Sequence, residues 1–352
     1  MTKELKTKFI SGILLILFST FTVYAQLPAD ALKGNFLKYL NKLHSGTEQR
    51  IITSQFCSWG PYSDFREIET VFSKSGQWLG FLGVDYHGLD MTTKQPPMLA
   101  KNYTNPNSII FNYGIKICNM SMHLNNPFCD SSAWSRYGNL KLLFDINSMS
   151  RKNLEAQWDT ISTGIKQLQD SGVVVMLRPY HEMNGNWFWW GQMGNSDTQD
   201  FKKLWRLTYH YFTKVKKLKN VIWCYSPFCW PHQYLNEYPG SDVVDVVCVD
   251  YYDSSLKEWL KLPYDALLTL NKPIGIGEYG CLRSSDWFWE KKQIHDFSSF
   301  VSEIRQFPKI GFITAWNLHW GFSYHKGLEM LNNPIFINKS ELQRILDTLQ
   351  KN

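Results

Sequence analysis

The chain has 352 residues, of which 44% are hydrophobic, so it can bury the core of one large domain or of two ordinary ones. The formal net charge is only +6, and no lysine and arginine cluster is interleaved with aromatic residues, which argues against a nucleic-acid-binding protein. Aromatic residues make up 16% of the chain and include 15 tryptophans, a composition that suits a flat-faced, hydroxylated ligand such as a sugar.

The first 25 residues have the pattern of an export signal. Lysines precede an apolar run of 14 residues, which is short for a membrane span, and Ala25 is a small residue suited to cleavage before Gln26. We therefore expect a signal peptide at 1–25 and a catalytic domain at 26–352 that is periplasmic or secreted. The alternative is an uncleaved membrane anchor.

Eight short apolar runs follow in chain order, and each is a candidate strand. They cover residues 51–57, 79–85, 115–122, 172–180, 220–227, 243–252, 272–280 and 309–317. Helical patterns lie between them, most clearly at 153–171, 198–218, 285–307 and 340–350. Strands that alternate with helices predict a single α/β domain with a parallel sheet closed into a (β/α)8 TIM barrel. An open doubly wound sheet is the alternative, but the chain has no Gly-rich phosphate loop.

The seven cysteines lack the close, regular spacing of a disulfide framework or a zinc ribbon. Cys118 with Cys129, or Cys224 with Cys229, are pairs that an oxidising compartment would allow to form, and the sequence leaves the pairing open.

Two glutamates lie where predicted strands end. Glu182 follows the fourth strand in RPYHEMNGNWFWWG, and Glu278 ends the seventh strand in GIGEYG. In a barrel both would face the same mouth, at the carboxyl ends of the strands. Hydrolysis of a glycosidic bond needs such a pair, one as a protonated acid and the other as an anion.

Strand alternation gives each glutamate a predicted face. It places Arg178, Tyr180 and Glu182 on one side of the fourth strand. It likewise places Glu278 on the side of Ile274 and Ile276, which leaves the glycines between them on the other side.

The sequence gives little support for a zinc site or a serine nucleophile as the catalytic centre. A zinc motif H-E-x-x-H that began at His181 would need a histidine where the chain has Gly185, and no G-x-S-x-G sequence marks a nucleophilic serine. We therefore expect neither a metal nor another cofactor.

The stretch RPYHEMNGNWFWWG resembles the signature of the family 26 glycoside hydrolases, which are mostly β-mannanases, and the resemblance extends over residues 40–350. It implies a retaining (β/α)8 enzyme with Glu182 as the general acid/base and Glu278 as the nucleophile. The resemblance also implies substrate-binding roles for a further set of residues, namely His123, His181, Trp187, Tyr252, Trp316, Arg178 and Lys101. Among these, Tyr252 would hydrogen-bond the nucleophile, Arg178 would brace a glutamate, and Trp316 would lie under the sugar at the point of attack.

The expected partner is a mannan-type polysaccharide or oligosaccharide, cut by a monomeric enzyme that has no membrane anchor after cleavage. A β-1,3-xylanase or a mixed-linkage glucanase is the enzymatic alternative, and an inactive carbohydrate-binding barrel is the other. The long loops 86–106 and 124–150 slightly favour a blocked cleft that releases mannobiose from chain ends.

Overall fold

The computed structural model of the protein describes residues 28–351, apart from 48, 60–61, 64, 88–109, 111–112, 130, 192–197, 231–232, 254, 282–296, 318–319 and 325. The expected signal peptide at 1–25 and Lys101 therefore lie outside the described residues.

The eight predicted strands all form and close into one parallel barrel, which confirms the TIM-barrel prediction. They are β1 (Ile51–Phe56), β2 (Phe81–His87), β3 (Ile117–His123), β4 (Val174–Arg178), β5 (Val221–Tyr225), β6 (Val246–Tyr252), β7 (Ile274–Gly280) and β8 (Ile310–Ala315). Each strand pairs with the next along the chain, and β8 pairs back onto β1 with Ile52 opposite Phe312. All eight carboxyl ends consequently surround one mouth.

The barrel interior changes from apolar to polar between its two ends. At the amino ends of the strands, side chains such as Phe81, Val174 and Phe312 form one buried cluster with residues of the first and last helices, including Phe36 and Leu346. Farther up, the interior holds polar groups that hydrogen-bond one another, for example the side-chain amide of Asn119 to Thr314 Oγ1 at 3.0 Å. The apolar plug closes one end and leaves the polar end as the place for chemistry.

The helices lie outside the ring of strands, and the first and the last of them cover its amino ends. Their bounds are α1 (Ala29–His44), α2 (Arg66–Ser75), α3 (Met149–Asp170), α4 (Thr198–His210), α5 (Leu256–Trp259), α6 (Lys261–Leu268), α7 (Phe300–Ile304), α8 (Gly327–Leu331) and α9 (Lys339–Lys351). Helix α3 begins at a serine cap, since Ser148 Oγ accepts from the backbone N–H of Arg151 at 3.0 Å. It ends before Gly172, which has a φ of 69°, as the sequence predicts.

Two predicted helices differ in the structure. α4 ends at His210 and gives way to a wider helical turn over Tyr211–Val215, whereas the sequence predicts one helix to 218. Of the predicted helix 285–307, the described part forms a tight turn at Phe297–Ser299 and the short α7, and residues 285–296 lie outside the described residues.

Neither suggested disulfide forms: Cys118, Cys129, Cys224 and Cys229 are all thiols, and three of the four are buried. Buried cysteines behave as small apolar side chains, which accounts for their scattered spacing. Within the described part of the chain, no helix is both long and apolar enough to cross a membrane.

Candidate active site

Glu182 reaches the mouth because the chain leaves its extended conformation after β4. Tyr180 and Glu182 have φ angles of 55° and 56°, a region that costs a non-glycine residue about 1–3 kcal/mol. The surroundings hold this backbone, since Glu182 N–H donates to the carbonyl of Ser226 at 2.7 Å.

The left-handed residues end the strand-like alternation of side chains between the two faces of β4. The prediction that Arg178, Tyr180 and Glu182 point to the same side is therefore wrong for Tyr180. The Tyr180 hydroxyl lies outside the barrel, where it contacts Trp158 Nε1 at 3.2 Å and Thr208 Oγ1 at 2.9 Å. Arg178 and Glu182 both face the mouth.

Glu278 reaches the interior through a bulge in β7. Ile274 and Ile276 pack in the apolar layer outside the barrel, and a Cβ added to Gly277 would lie 2.7 Å from Arg178 Nη1 on the inside. The register with β6 then shifts by one residue, so that Asp250 pairs with Glu278. The prediction that Glu278 shares a face with Ile274 and Ile276 is therefore wrong, because the extra residue turns its carboxylate inward.

The left-handed residues after β4 and the bulge in β7 together bring the two predicted glutamates close to each other. Glu182, Asp250 and Glu278 are buried, and each offers a carboxylate oxygen within 4.8 Å of the oxygens of the other two. Glu182 is 8% exposed and Glu278 is 4% exposed, so a small part of each residue remains accessible at the mouth of the barrel.

Arg178 lies between two of these carboxylates, with its side chain fully buried. Its Nη1 donates to Asp250 Oδ1 at 2.5 Å, and its Nη2 donates to Glu278 Oε1. Burial alone would lower the pKa of Arg178, but the charges of Asp250 and Glu278 outweigh it and raise that pKa. Arg178 is thus the charged partner of Glu278 Oε1.

The second oxygen of Glu278 has a different donor. The hydroxyl of Tyr252 donates to Oε2 at 2.8 Å. With Arg178 on Oε1 and Tyr252 on Oε2, the carboxylate is held in one orientation. Asp250, which the sequence analysis did not include in the site, supports the arrangement because it binds both Arg178 and Ser226 Oγ, the latter at 2.8 Å.

Glu182 lies in surroundings that favour its protonated form. Burial raises the pKa of its carboxyl well above the usual value, and the neighbouring charges of Glu278 and Asp250 raise it further. Trp187 Nε1 donates to Oε2 at 2.7 Å and acts in the opposite direction. The carboxyl therefore suits a proton donor, opposite a second carboxylate that is held by a cation.

Two histidines complete one wall of the site. The ring of His181 stands edge-on to that of His123 with centroids 4.7 Å apart, and His181 Nε2 is 3.7 Å from Glu278 Oε1. Burial lowers the pKa of His181 well below its usual value, and His123 and Arg178 add to the effect, so that His181 is neutral near pH 7.

Among the described residues, aromatic rings lie on other sides of the site. Trp316 is 7% exposed and packs against Phe56, with ring centroids 4.5 Å apart, in a small cluster that also contains Tyr252 and Trp320. In the block from Trp187 to Trp190 only Trp187 is partly exposed, and the other three rings are buried. Of that block, only Trp187 can therefore present part of its ring beside Glu182, to which its indole N–H donates.

Two further residues beside the site are not among those predicted from the sequence. Asp85, near the end of β2, binds His123 Nδ1 at 3.0 Å, and Trp134 is 44% exposed with its ring 6.2 Å from that of His123. A strand-end position was an available signal for Asp85. Trp134 lies in a loop, where the sequence carries no such signal.

The three carboxylates are also a possible set of metal ligands within the described residues. Two of these carboxylates, Asp250 and Glu278, already bind a positive charge, which is the guanidinium of Arg178.

The sequence matches a known family over most of its length. Residues 30–341 match the profile described as Glycosyl hydrolase family 26. A mannan endo-1,4-β-mannosidase of Bacillus subtilis (strain 168) is 30% identical over 320 residues, which cover 87% of this chain and 85% of that protein.

Solved structures agree with the sequence match. The structure of a Bacillus subtilis mannanase superposes with a TM-score of 0.78 at 28% identity, covering 90% of this chain and 96% of that one. A β-mannanase of Bacteroides ovatus superposes with a TM-score of 0.67 at 21% identity, over 89% and 97% of the two chains, which shows a shared fold.

Proposed function

The chain belongs to glycosyl hydrolase family 26, and from this membership we propose that it hydrolyses β-1,4-mannosidic linkages in mannan with retention of anomeric configuration. The observation that carries the proposal is the pair of glutamates, whose nearest carboxylate oxygens lie within 4.8 Å at the mouth of the barrel. Retaining enzymes hold their carboxyl groups about 5–5.5 Å apart, whereas inverting enzymes need about 6.5–9.5 Å to admit a water molecule.

In the first step Glu278 attacks the anomeric carbon, while Glu182 donates its proton to the glycosidic oxygen. The bond between that carbon and oxygen breaks, the leaving sugar departs, and a mannosyl ester of Glu278 remains. The raised pKa of Glu182 supports its role as the acid, and the donors Arg178 and Tyr252 support Glu278 as the anion.

In the second step Glu182, now ionised, takes a proton from water. The water oxygen attacks the anomeric carbon, the ester bond breaks, and Glu278 is restored as a carboxylate. Trp316 would stack beneath the sugar under attack and Trp187 beneath the leaving sugar. His123 and His181 would hydrogen-bond hydroxyl groups beside the cleaved bond.

The choice of mannan rests on the relatives. Two relatives from Bacillus subtilis, aligned over 85% and 91% of their own length, are mannan endo-1,4-β-mannosidases. A relative from Acetivibrio thermocellus, Endoglucanase H, is 27% identical over 155 residues, or 39% of this chain and 17% of that protein, and its name makes a glucan the second candidate substrate.

Action within chains is the primary proposal, as in the named relatives. A blocked cleft that releases mannobiose is the alternative, and most of one loop that would close it, 88–106, lies outside the described residues.

The test is a substrate panel with product analysis. Purified protein should release reducing sugar from mannan faster than from β-1,3-xylan or mixed-linkage glucan, and Glu278→Ala should abolish the release. On mannohexaose an endo-acting enzyme gives a ladder of sizes, and mannobiose alone would indicate action from an end. Greater activity on glucan than on mannan would overturn the choice of substrate.

We also propose that residues 1–25 are a signal peptide that directs export. Amino-terminal sequencing of protein recovered outside the cytoplasm should begin at Gln26. Recovery of the intact chain in the membrane fraction would favour the uncleaved anchor.

A further inference from the structure

A buried carboxylate lies behind the histidine wall and takes no part in the proposed reaction. The side chain of Asp85 is 0% exposed, and both its oxygens are 3.0 Å from Nδ1 of His123. An ionised carboxylate only accepts hydrogen bonds, so the nitrogen that faces it carries a hydrogen.

The strand register fixes the position of this carboxylate. Asp85 on β2 pairs directly with Ser121 on β3, and the Ser121 hydroxyl donates to Asp85 Oδ1 at 2.9 Å. His123 lies two residues beyond Ser121 and therefore on the same inner face of the strand. The contact is thus built by two barrel strands rather than by a loop, which favours a precise geometry.

His123 connects Asp85 to the reacting groups. Its ring packs edge-on against His181, whose Nε2 is 3.7 Å from Glu278 Oε1. A rotation of the His123 ring would change this contact with His181 and would move Nδ1 away from Asp85.

We propose that Asp85 is a positioning residue that holds His123 in one orientation, with the hydrogen on Nδ1 facing Asp85 and the ring edge-on to His181. A ring with its only hydrogen on Nδ1 can accept but not donate at Nε2, which favours a group that donates there, such as a sugar hydroxyl. The effect of Asp85 on catalysis rests on the proposed mannan hydrolysis. The position of the hydrogen on the His123 ring does not depend on that proposal.

The tautomer is measured directly by nitrogen NMR on protein labelled with ¹⁵N-histidine. The His123 signals are identified as those lost in His123→Gln. The expected result is a protonated Nδ1, in a neutral ring or in a cation, and a mixture of tautomers in Asp85→Asn. An unprotonated Nδ1 in the unmodified protein overturns the proposal, whether or not the protein hydrolyses mannan.

The catalytic consequence is tested by a double-mutant cycle on kcat/KM with mannohexaose. Asp85→Asn should lower kcat/KM about 10-fold, since a charge-assisted hydrogen bond is lost. In a protein that already carries His123→Ala, the Asp85→Asn change should lower kcat/KM by less than about 2-fold, because Asp85 then has no histidine to position. Equal factors in both backgrounds would show a role that does not pass through His123.

A matched control is Asp242→Asn, which should change neither measurement. Asp242 is 64% exposed, pairs with Arg206 and precedes β6, at the opposite end of the barrel from the mouth. Thermal unfolding of each variant shows whether it folds, and if Asp85→Asn does not, the NMR result on the unmodified protein decides. If the unmodified protein leaves mannan intact, the proposed function fails while the tautomer remains testable.

Discussion

The hydroxyl of Tyr252 donates to Oε2 of Glu278 at 2.8 Å, while the guanidinium of Arg178 binds the other oxygen of the same carboxylate. Two barrel strands, β4 and β6, thus hold the proposed nucleophile on a third, β7. The carboxylate is presented to substrate already oriented, so little free energy is needed to order it during reaction.

Tyr252→Phe removes one of these two donors and leaves the ring in place. A hydrogen bond to a charged group contributes about 1.5–3 kcal/mol, so we expect kcat on mannan to fall about 10- to 100-fold. Initial rates of reducing-sugar release measure this. Tyr211→Phe, which breaks a tyrosine–carboxylate contact with Asp159 on the outer surface, is the control and should keep its rate. An unchanged rate in Tyr252→Phe would mean that the contact does not assist catalysis.

Arg178→Met leaves Asp250 and Glu278 buried without a cation. Removing one partner of a buried ion pair costs about 3–5 kcal/mol, and we expect the free energy of unfolding to fall by that amount. Urea unfolding followed by fluorescence measures it. Arg206→Met breaks an exposed pair and should cost less than about 1 kcal/mol. Equal losses in the two variants would contradict the central role of Arg178.

The raised pKa of Glu182 predicts an alkaline limit to activity, because Glu182 must be protonated to act as the acid. The rate should fall as pH rises through this pKa. Trp187→Phe removes a hydrogen bond that lowers the pKa, so the pKa rises and the alkaline limb moves to higher pH. A pH profile of kcat/KM shows in which direction the alkaline limb moves. Trp189→Phe, whose indole instead donates to the carbonyl of Leu124, should leave the limb in place. A shift to lower pH in Trp187→Phe would contradict the assignment.

Gly277→Ala tests the bulge that turns Glu278 inward. The new Cβ would lie 2.7 Å from both Arg178 Nη1 and Asp250 Oδ1, so these side chains must move. We expect a loss of about 1–3 kcal/mol in stability together with a large loss of activity. Gly34→Ala in α1 meets no atom within 4 Å and should stabilise the protein by about 0.5–1 kcal/mol. Full activity in Gly277→Ala would show that the close packing around Arg178 is dispensable.

Sequence reasoning located the strands and both glutamates because both follow from local patterns. Runs such as 172–177 are apolar and rich in valine, and a barrel places its chemistry at strand ends whatever the detailed packing. Those two facts led to Glu182 and Glu278 without knowledge of any distance.

The orientation of these side chains could not be predicted in the same way. Alternation assumes extended backbone, and the left-handed residues Tyr180 and Glu182 break that assumption. In β7 one extra residue shifts the register, so that Glu278 faces inward although Ile276 faces outward. Both departures depend on contacts with neighbouring strands.

Asp85 was missed for a related reason. Its importance comes from His123, 38 residues farther along the chain, and the pairing of β2 with β3 alone brings them together. A lone aspartate at a strand end has many ordinary explanations, and the partner that decides between them is set by the tertiary structure. The expectation for Lys101 stays a prediction, because this residue lies outside the described part of the chain.

The most direct test of the central claim is to trap the covalent intermediate. The enzyme is incubated with an activated 2-deoxy-2-fluoro-β-mannoside, digested with a protease, and examined by mass spectrometry. We predict a mannosyl adduct on the peptide that contains Glu278, with none on the peptide that contains Glu182. An adduct on Glu182, or no adduct in a preparation that the same mannoside fully inactivates, would contradict the assignment of the two glutamates.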